Sequence, residues 1–248
     1  MNLLAGKRIV VTRPTKQATS ICGMLRERGA EVIEFPTVRI EPASDPQPLL
    51  NALRKLNSYD RVFFTSVNGV EHTWEHVQPP WPASTKVAAI GPATASALRT
   101  RHVEPDVVPS EYVAEALACS LGSVQDQTIL LPRASKTRPA LFNLLTQAGA
   151  KVTSVTAYET HVNRPTDDAY ASLKPHVDVV TFTSGSTVEG FIQMTSHLNL
   201  MFTTACIGPI TADVAIGAGL QAPIIADTYT SEGLVTAIEH YFDELEQA

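Results

Sequence analysis

An internal repetition with a period of about 120 residues constrains this chain more than any other feature of its sequence. The repeated segments are FTSVNGVE (64–71) with FTSGSTVE (182–189), IGPATA (90–95) with IGPITA (207–212), GAEV (29–32) with GAKV (149–152), and Arg13 and Lys16 with Arg133 and Lys136. The segments keep their order, and every offset lies between 117 and 120 residues. This pattern predicts two similar units that arose by duplication.

Each repeat alternates short β-branched runs with helical patterns. In the first repeat, RIVVT (8–12) predicts a buried strand, and segment 17–28 predicts a helix that stops at Gly29. The other predicted strands are 31–35, 61–65, 86–90 and 103–109, then 128–132, 151–155, 178–183, 205–208 and 222–226. Strands separated by helices indicate parallel βαβ units. We therefore predict an α/β fold with two similar flavodoxin-like lobes, each a parallel five-stranded sheet flanked by helices.

Two polar stretches that contain proline occupy the same place in each repeat and predict linkers between the lobes. They lie at 39–48, which includes EPASDPQP, and at 161–166, which reads HVNRPT. Because both follow the second strand of a repeat, we expect the chain to cross between lobes twice. The first lobe is then discontinuous, from 1–38 plus 167–248, and the second lobe is 49–160.

Composition and charge disfavour several classes of protein. The net charge of −6 and the pI of about 5.6 disfavour binding to nucleic acid. No apolar run is long enough to cross a membrane, and the N-terminal segment lacks the layout of a secretory signal. The three cysteines form neither a disulfide framework nor a CxxC metal site. We expect a cytoplasmic monomer with no membrane or nucleic-acid partner.

The loops that follow the predicted strands are rich in Ser, Thr and Gly, and each precedes a predicted helix. Ligands of parallel sheets bind beyond the C-terminal ends of the strands, where free N–H groups at helix starts attract anions. The candidate binding residues are Arg13, Ser66, Asn68, Thr94, Ser184, Ser186, Thr211 and Thr230. Helix capping alone would also explain Ser and Thr at these positions. Their recurrence in both repeats favours binding of a polycarboxylate or phosphorylated ligand.

Tyr158 is the candidate catalytic residue. The pattern places it at the end of the second strand of the second repeat, where the first repeat has Val38. A phenol there can donate a proton to a leaving hydroxyl, although packing on the sheet is the commoner role of a strand tyrosine. Arg13 and Arg133 can each pair with a ligand carboxylate or form a salt bridge.

Motifs for nucleotide, flavin and metal binding are missing from the sequence. It contains no GxxxxGK[ST] loop, no complete dinucleotide fingerprint and no GxSxG elbow. His72 and His76 lie four residues apart on a predicted helix, but the order is not HExxH and no third ligand is evident. We therefore expect neither a metal nor a cofactor.

The motifs, in this order and over essentially the whole chain, resemble the uroporphyrinogen-III synthase family. The resemblance rests on Thr12-Arg13-Pro14, Phe64-Thr65-Ser66, Ile90-Gly91, Gly149-Ala150 followed by Tyr158, Phe182-Thr183-Ser184, Ile207-Gly208-Pro209 and Thr230. It implies two α/β lobes joined by a two-stranded linker, and an enzyme without a cofactor. The implied reaction dehydrates linear hydroxymethylbilane and closes it to uroporphyrinogen III, with inversion of the last pyrrole ring. Tyr158 matches the tyrosine that the family offers as proton donor.

Two other functions fit parts of the pattern. A non-catalytic two-lobed cytoplasmic binding protein for a polyanionic small molecule would share the cleft and the anion-binding loops. A sugar-phosphate isomerase would also use Ser- and Thr-rich loops, but it needs a general-base Glu or His, and the pattern places none there.

Overall fold

The computed structural model describes residues 3–110 and 114–247 and contains, within them, ten strands and ten α-helices. In chain order they are β1 (Arg8–Val11), α1 (Thr15–Glu27), β2 (Glu31–Glu34), β3 (Val38–Pro42), α2 (Gln47–Leu53), β4 (Arg61–Phe64), α3 (Val67–Trp74), β5 (Lys86–Ala89), α4 (Pro92–Arg99), α5 (Ala114–Cys119), β6 (Thr128–Ala134), α6 (Ala140–Gln147), β7 (Lys151–Val162), α7 (Asp167–Leu173), β8 (Val179–Phe182), α8 (Gly185–Thr195), β9 (Thr203–Cys206), α9 (Pro209–Gly217), β10 (Ile224–Ile225) and α10 (Ser231–Gln247). None of these helices combines the length and the apolar character that a membrane crossing needs.

The chain divides into two compact units. Unit 1 comprises Met1–Arg39 with His161–Ala248, and unit 2 is the continuous segment Ile40–Thr160. The chain passes between the units inside β3 and inside β7, so part of each expected linker is regular strand. The strands β3 and β7 are neighbours in one sheet, and this pairing satisfies backbone groups that a free linker would leave to water.

Each unit contains one five-stranded sheet. The strand order is β10-β9-β8-β1-β2 in unit 1 and β3-β7-β6-β4-β5 in unit 2. Read from β2, the sheet of unit 1 has the flavodoxin-like order in which the second strand lies at one edge beside the first. Parallel pairs join all of its strands, so the C-terminal strand ends share one edge of the sheet.

The strand registers of the two sheets match the sequence repeat. In unit 1, Ile9 pairs with Val179, and in unit 2 the equivalent residue Ile129 pairs with Arg61. The offsets between these positions are the offsets of the repeated motifs. Each unit therefore combines the first half of one repeat with the second half of the other.

Three predicted strands differ from the structure. The run 103–109 is reduced to one bridge between Ala88 and Val107, because Pro105 and Pro109 supply no N–H group for a ladder. The strand predicted at 151–155 continues to Val162, since its second half pairs with β3. The strand predicted at 222–226 is confined to Ile224–Ile225.

The core of each unit lies on both faces of its sheet. In β1, Ile9 and Val11 pack under α1 and α10, while Val10 joins the opposite cluster with residues of α7, α8 and α9. In β4, Phe64 and Phe63 divide in the same way between the two clusters of unit 2. Burial on both faces explains why these strands are continuous apolar runs rather than alternating ones.

Candidate functional site

In unit 2, Tyr158 forms a small polar cluster with the start of α3. Tyr158 lies inside β7 rather than at its end, and it pairs in register with Ala134 at the C-terminal end of β6. Its side chain is largely buried, with the residue 7% exposed, and its hydroxyl oxygen lies 3.0 Å from Oγ of Ser66. Ser66 is the N-cap of α3, and its Oγ accepts a hydrogen bond of 3.0 Å from the N–H of Gly69. With that acceptor position used, the Ser66 hydroxyl proton can point at the phenol oxygen.

Burial raises the pKa of Tyr158, and hydrogen bonds from Ser66 and Asn68 act against this rise. Either hydroxyl can donate in the contact between Ser66 and Tyr158, and a bond donated to the phenol oxygen stabilises the charged form of the phenol. The phenol therefore stays protonated at neutral pH, beside two polar side chains of α3 and its N-cap.

In unit 1, Arg13 occupies the equivalent edge of the sheet, directly after β1. Its Nη1 donates a hydrogen bond of 2.9 Å to Oγ of Ser231 at the start of α10. Its Nε is buried and has no hydrogen-bond partner among the described residues. Burial lowers the pKa of the guanidinium, which is the expected effect on a cation removed from water. Such a group is suited to bind a carboxylate of a ligand.

Three more candidate residues lie at the starts of two helices of unit 1: Ser184 and Ser186 at α8, and Thr230 at α10. Ser184 is the N-cap of α8, where it forms a capping box with Thr187. Oγ of Ser186 lies 3.0 Å from Oγ of Ser184. Thr230 accepts a hydrogen bond of 3.0 Å from the N–H of Gly233 in the first turn of α10. These side chains prepare helix starts, whose remaining N–H groups are available to anions.

Thr94 and Thr211 differ from the other candidates because their side chains are buried. They lie in the first turns of α4 and α9, with exposures of 4% and 5%. Each helix begins with a Gly-Pro pair, with glycine at the N-cap. Their buried hydroxyls do not face a ligand, and the N–H of Thr211 already donates a hydrogen bond of 3.1 Å to the carbonyl of Gly208.

The structure gives a setting to three residues outside the main candidate set. Arg133, which the repeat marks as the equivalent of Arg13, immediately precedes Ala134 at the end of β6, and burial lowers its pKa as it does for Arg13. Ser231 is not marked by any motif, and the sequence pairs His72 with His76 and not with Tyr158. Only the folded chain places Ser231 against Arg13 and His72 against Tyr158. Across residues 3–110 and 114–247, no three His, Cys, Asp or Glu side chains gather as metal ligands would.

Comparison with known proteins identifies a single family. The family profile described as uroporphyrinogen-III synthase HemD matches residues 20–236. A uroporphyrinogen-III synthase from Synechococcus elongatus is 33% identical over 257 residues, which cover 96% of this chain and 96% of that protein.

Two crystal structures share the fold of this chain. A mutant uroporphyrinogen III synthase from the extremely thermophilic bacterium Thermus thermophilus has a TM-score of 0.67 at 19% identity and covers 96% of this chain and 100% of its own. A uroporphyrinogen-III synthetase from Helicobacter pylori has a TM-score of 0.64 at 17% identity, with coverage of 95% and 99%. At these identities the structures support the fold, whereas the family profile and the Synechococcus relative support the family.

Proposed function

The chain belongs to the uroporphyrinogen-III synthase family, and from this premise we propose that Tyr158 and the candidate binding residues of the two units perform the reaction of that family. The reaction closes linear hydroxymethylbilane to uroporphyrinogen III, with loss of water and inversion of the last pyrrole ring. The observation that carries the proposed role of Tyr158 is its buried phenol, whose oxygen lies 3.0 Å from Oγ of Ser66 and whose pKa is raised by burial.

Proton donation by Tyr158 assists the departure of the hydroxyl group. The phenol proton passes to the hydroxyl of the hydroxymethyl arm, the C–O bond breaks, and its electron pair leaves with water. The methylene carbon becomes an azafulvene cation that the pyrrole nitrogen stabilises. The new carbon–carbon bond first forms at the substituted α carbon of the last ring, and the bond from this carbon to its methylene bridge then breaks, which leaves a second azafulvene cation on the third ring. This cation bonds to the free α carbon of the last ring, which is now inverted. The proton lost from that carbon returns to the phenolate, which Ser66 and Asn68 stabilise in the meantime.

Binding of the substrate depends on its carboxylates, because each pyrrole ring carries an acetate and a propionate. Arg13 supplies a buried cation in unit 1, and the helix starts at Ser184, Ser186, Thr211 and Thr230 supply N–H donors. In unit 2, the corresponding groups are Arg133 and the helix starts at Ser66, Asn68 and Thr94. An acidic protein can hold a polyanion in this way, because the donors are local and need no overall positive charge. We further infer that the chain acts as a cytoplasmic monomer.

The substitution Tyr158→Phe tests the proposed mechanism. It removes the donated proton and keeps the ring, so we expect type III product to form about ten- to a hundredfold more slowly, with KM nearly unchanged. The measurement is single-turnover conversion of hydroxymethylbilane, with type I and type III isomers separated after oxidation. Tyr241→Phe in α10 is the matched control and should keep the wild-type rate.

Two results would contradict the proposal. A wild-type rate in Tyr158→Phe would remove this phenol from the mechanism and leave positioning by backbone donors as the whole of the catalysis. Formation of type I isomer alone by the wild-type chain would favour the alternative of a non-catalytic binding protein for a polyanion.

A further inference from the structure

The face of the Tyr158 ring is covered by the side chain of His72. The two ring centroids lie 5.8 Å apart, and the ring planes are inclined by 22°, which is a stacked arrangement. The His72 side chain is 14% exposed, so the contact is mostly shielded from water. Stacked aromatic pairs at this separation stabilise each other beyond the area that they bury.

His72 has two close neighbours, the ring of Tyr158 and the carboxylate of Glu75. Its Nδ1 is buried and makes no hydrogen bond to any described residue, although Oε1 of Glu75 lies only 3.4 Å away. A buried polar atom without a hydrogen bond is unfavourable, and the stack on Tyr158 offsets part of this cost.

Tyr158 is contacted by the N-cap of α3 and by one residue in each of its first two turns. Ser66 caps the helix and bonds to the phenol oxygen, and Asn68 in the first turn bonds to the same oxygen. His72 lies four residues after Asn68, which places both side chains on one face of the helix. The helix start thus contacts the oxygen of the phenol, while the next turn contacts the face of its ring.

We propose that His72 is a positioning residue that fixes the plane of the Tyr158 phenol so that its O–H points toward the leaving hydroxyl. This inference rests on the proposed function, because a phenol without a catalytic role would need no defined plane. The apolar cluster of unit 2 packs around part of the Tyr158 ring, and the stacked imidazole of His72 further restricts rotation of the ring plane about the Cβ–Oη axis. Misdirected proton donors lose rate steeply.

Two substitutions at His72 separate ring stacking from other roles. His72→Ala removes the stack, and we expect kcat to fall about three- to tenfold while KM stays within about twofold. His72→Phe restores a flat ring without nitrogen atoms, and we expect it to recover most of the wild-type kcat. His76→Ala, just beyond the end of α3, is the matched control and should leave both constants unchanged.

A double-mutant cycle with Tyr158→Phe tests whether His72 acts through the phenol. If His72 orients the Tyr158 hydroxyl, His72→Ala should cause no further loss of kcat once that hydroxyl is absent. Thermal unfolding of each variant shows that the fold persists.

Several outcomes would overturn the proposal. They are an equal loss of kcat in His72→Phe and His72→Ala, or a loss in His72→Ala that persists in full beside Tyr158→Phe. A wild-type rate in Tyr158→Phe alone would instead refute the catalytic role of the phenol, so failure of the proposed function is recognised separately.

Discussion

Arg8 and Arg13 show how differently one residue type behaves at the two ends of a single strand. Arg8, at the start of β1, donates hydrogen bonds to the Glu31 carboxylate and to two backbone carbonyls. Arg13, after the end of β1, has one bond to Ser231 and a buried Nε without a partner among the described residues. A buried cation with unfilled donors does not help folding, so its presence at the candidate binding edge of the sheet is consistent with the proposed contact to a substrate carboxylate.

Replacing each arginine by methionine should separate function from stability. Arg13→Met should raise KM for hydroxymethylbilane at least about tenfold, because a charge-assisted hydrogen bond to a carboxylate is lost. The free energy of unfolding should stay the same or rise, since a poorly solvated cation is gone. Arg8→Met should show the opposite, with stability lowered by about 1–3 kcal/mol and KM unchanged. Urea unfolding and steady-state kinetics check both, and a marked loss of stability in Arg13→Met would contradict the functional interpretation.

At the scale of single elements, the position of α8 depends on the close approach of one glycine to the backbone. A Cβ at Gly190 would lie 2.7 Å from the carbonyl oxygen of Thr37, closer than real Cβ contacts. The hydroxyl of Thr37 also donates a hydrogen bond of 3.0 Å to the carbonyl of Thr187 in the same helix. These contacts hold the helix that carries Ser184 at its start, so they position part of the candidate binding edge.

Two glycine-to-alanine substitutions should therefore have opposite effects. Gly190→Ala should destabilise the protein by about 1–3 kcal/mol, because α8 must move away from Thr37 to admit the methyl group. Gly23→Ala in α1 meets no atom within 4 Å and should stabilise by about 0.5–1 kcal/mol, since alanine favours the helix. Thermal unfolding compares the two variants directly. Destabilisation of the same size in both would mean that the contact with Thr37 has no special role.

The sequence predicts elements well where local pattern decides them, and poorly where a distant partner decides them. The helix expected at 17–28 is α1, because its apolar spacing and Gly29 are local signals. The length of β7 depends on its partner β3, which lies more than 100 residues earlier in the chain. The local pattern therefore predicts only the first half of β7 and places Tyr158 at a strand end. The contact of His72 with Tyr158 has the same origin, since it follows from the packing of α3 beside β6 and β7 and not from any motif.

At the scale of the whole molecule, the sequence repeat and the structural unit are different segments of the chain. The first repeat supplies β1 and β2 to unit 1, and it supplies β4 and β5 to unit 2. The second repeat supplies the complementary strands, in matching register. A single repeat therefore contains parts of two sheets and completes neither.

Two fragments of similar length test whether the sequence repeat or the structural unit is the segment that folds on its own. Fragment 38–162 holds the complete sheet β3-β7-β6-β4-β5 and both apolar clusters of unit 2, so we expect it to fold alone and to unfold cooperatively in urea. Fragment 1–120 separates β4 from its neighbour β6 and β1 from β8, which leaves central strands with open edges and half of each core in water. We expect this second fragment to show no cooperative transition and to aggregate. Circular dichroism during urea titration measures both. A cooperative transition in 1–120 would mean that the repeat is the segment that folds. The absence of one in 38–162 would mean that unit 2 does not fold without unit 1.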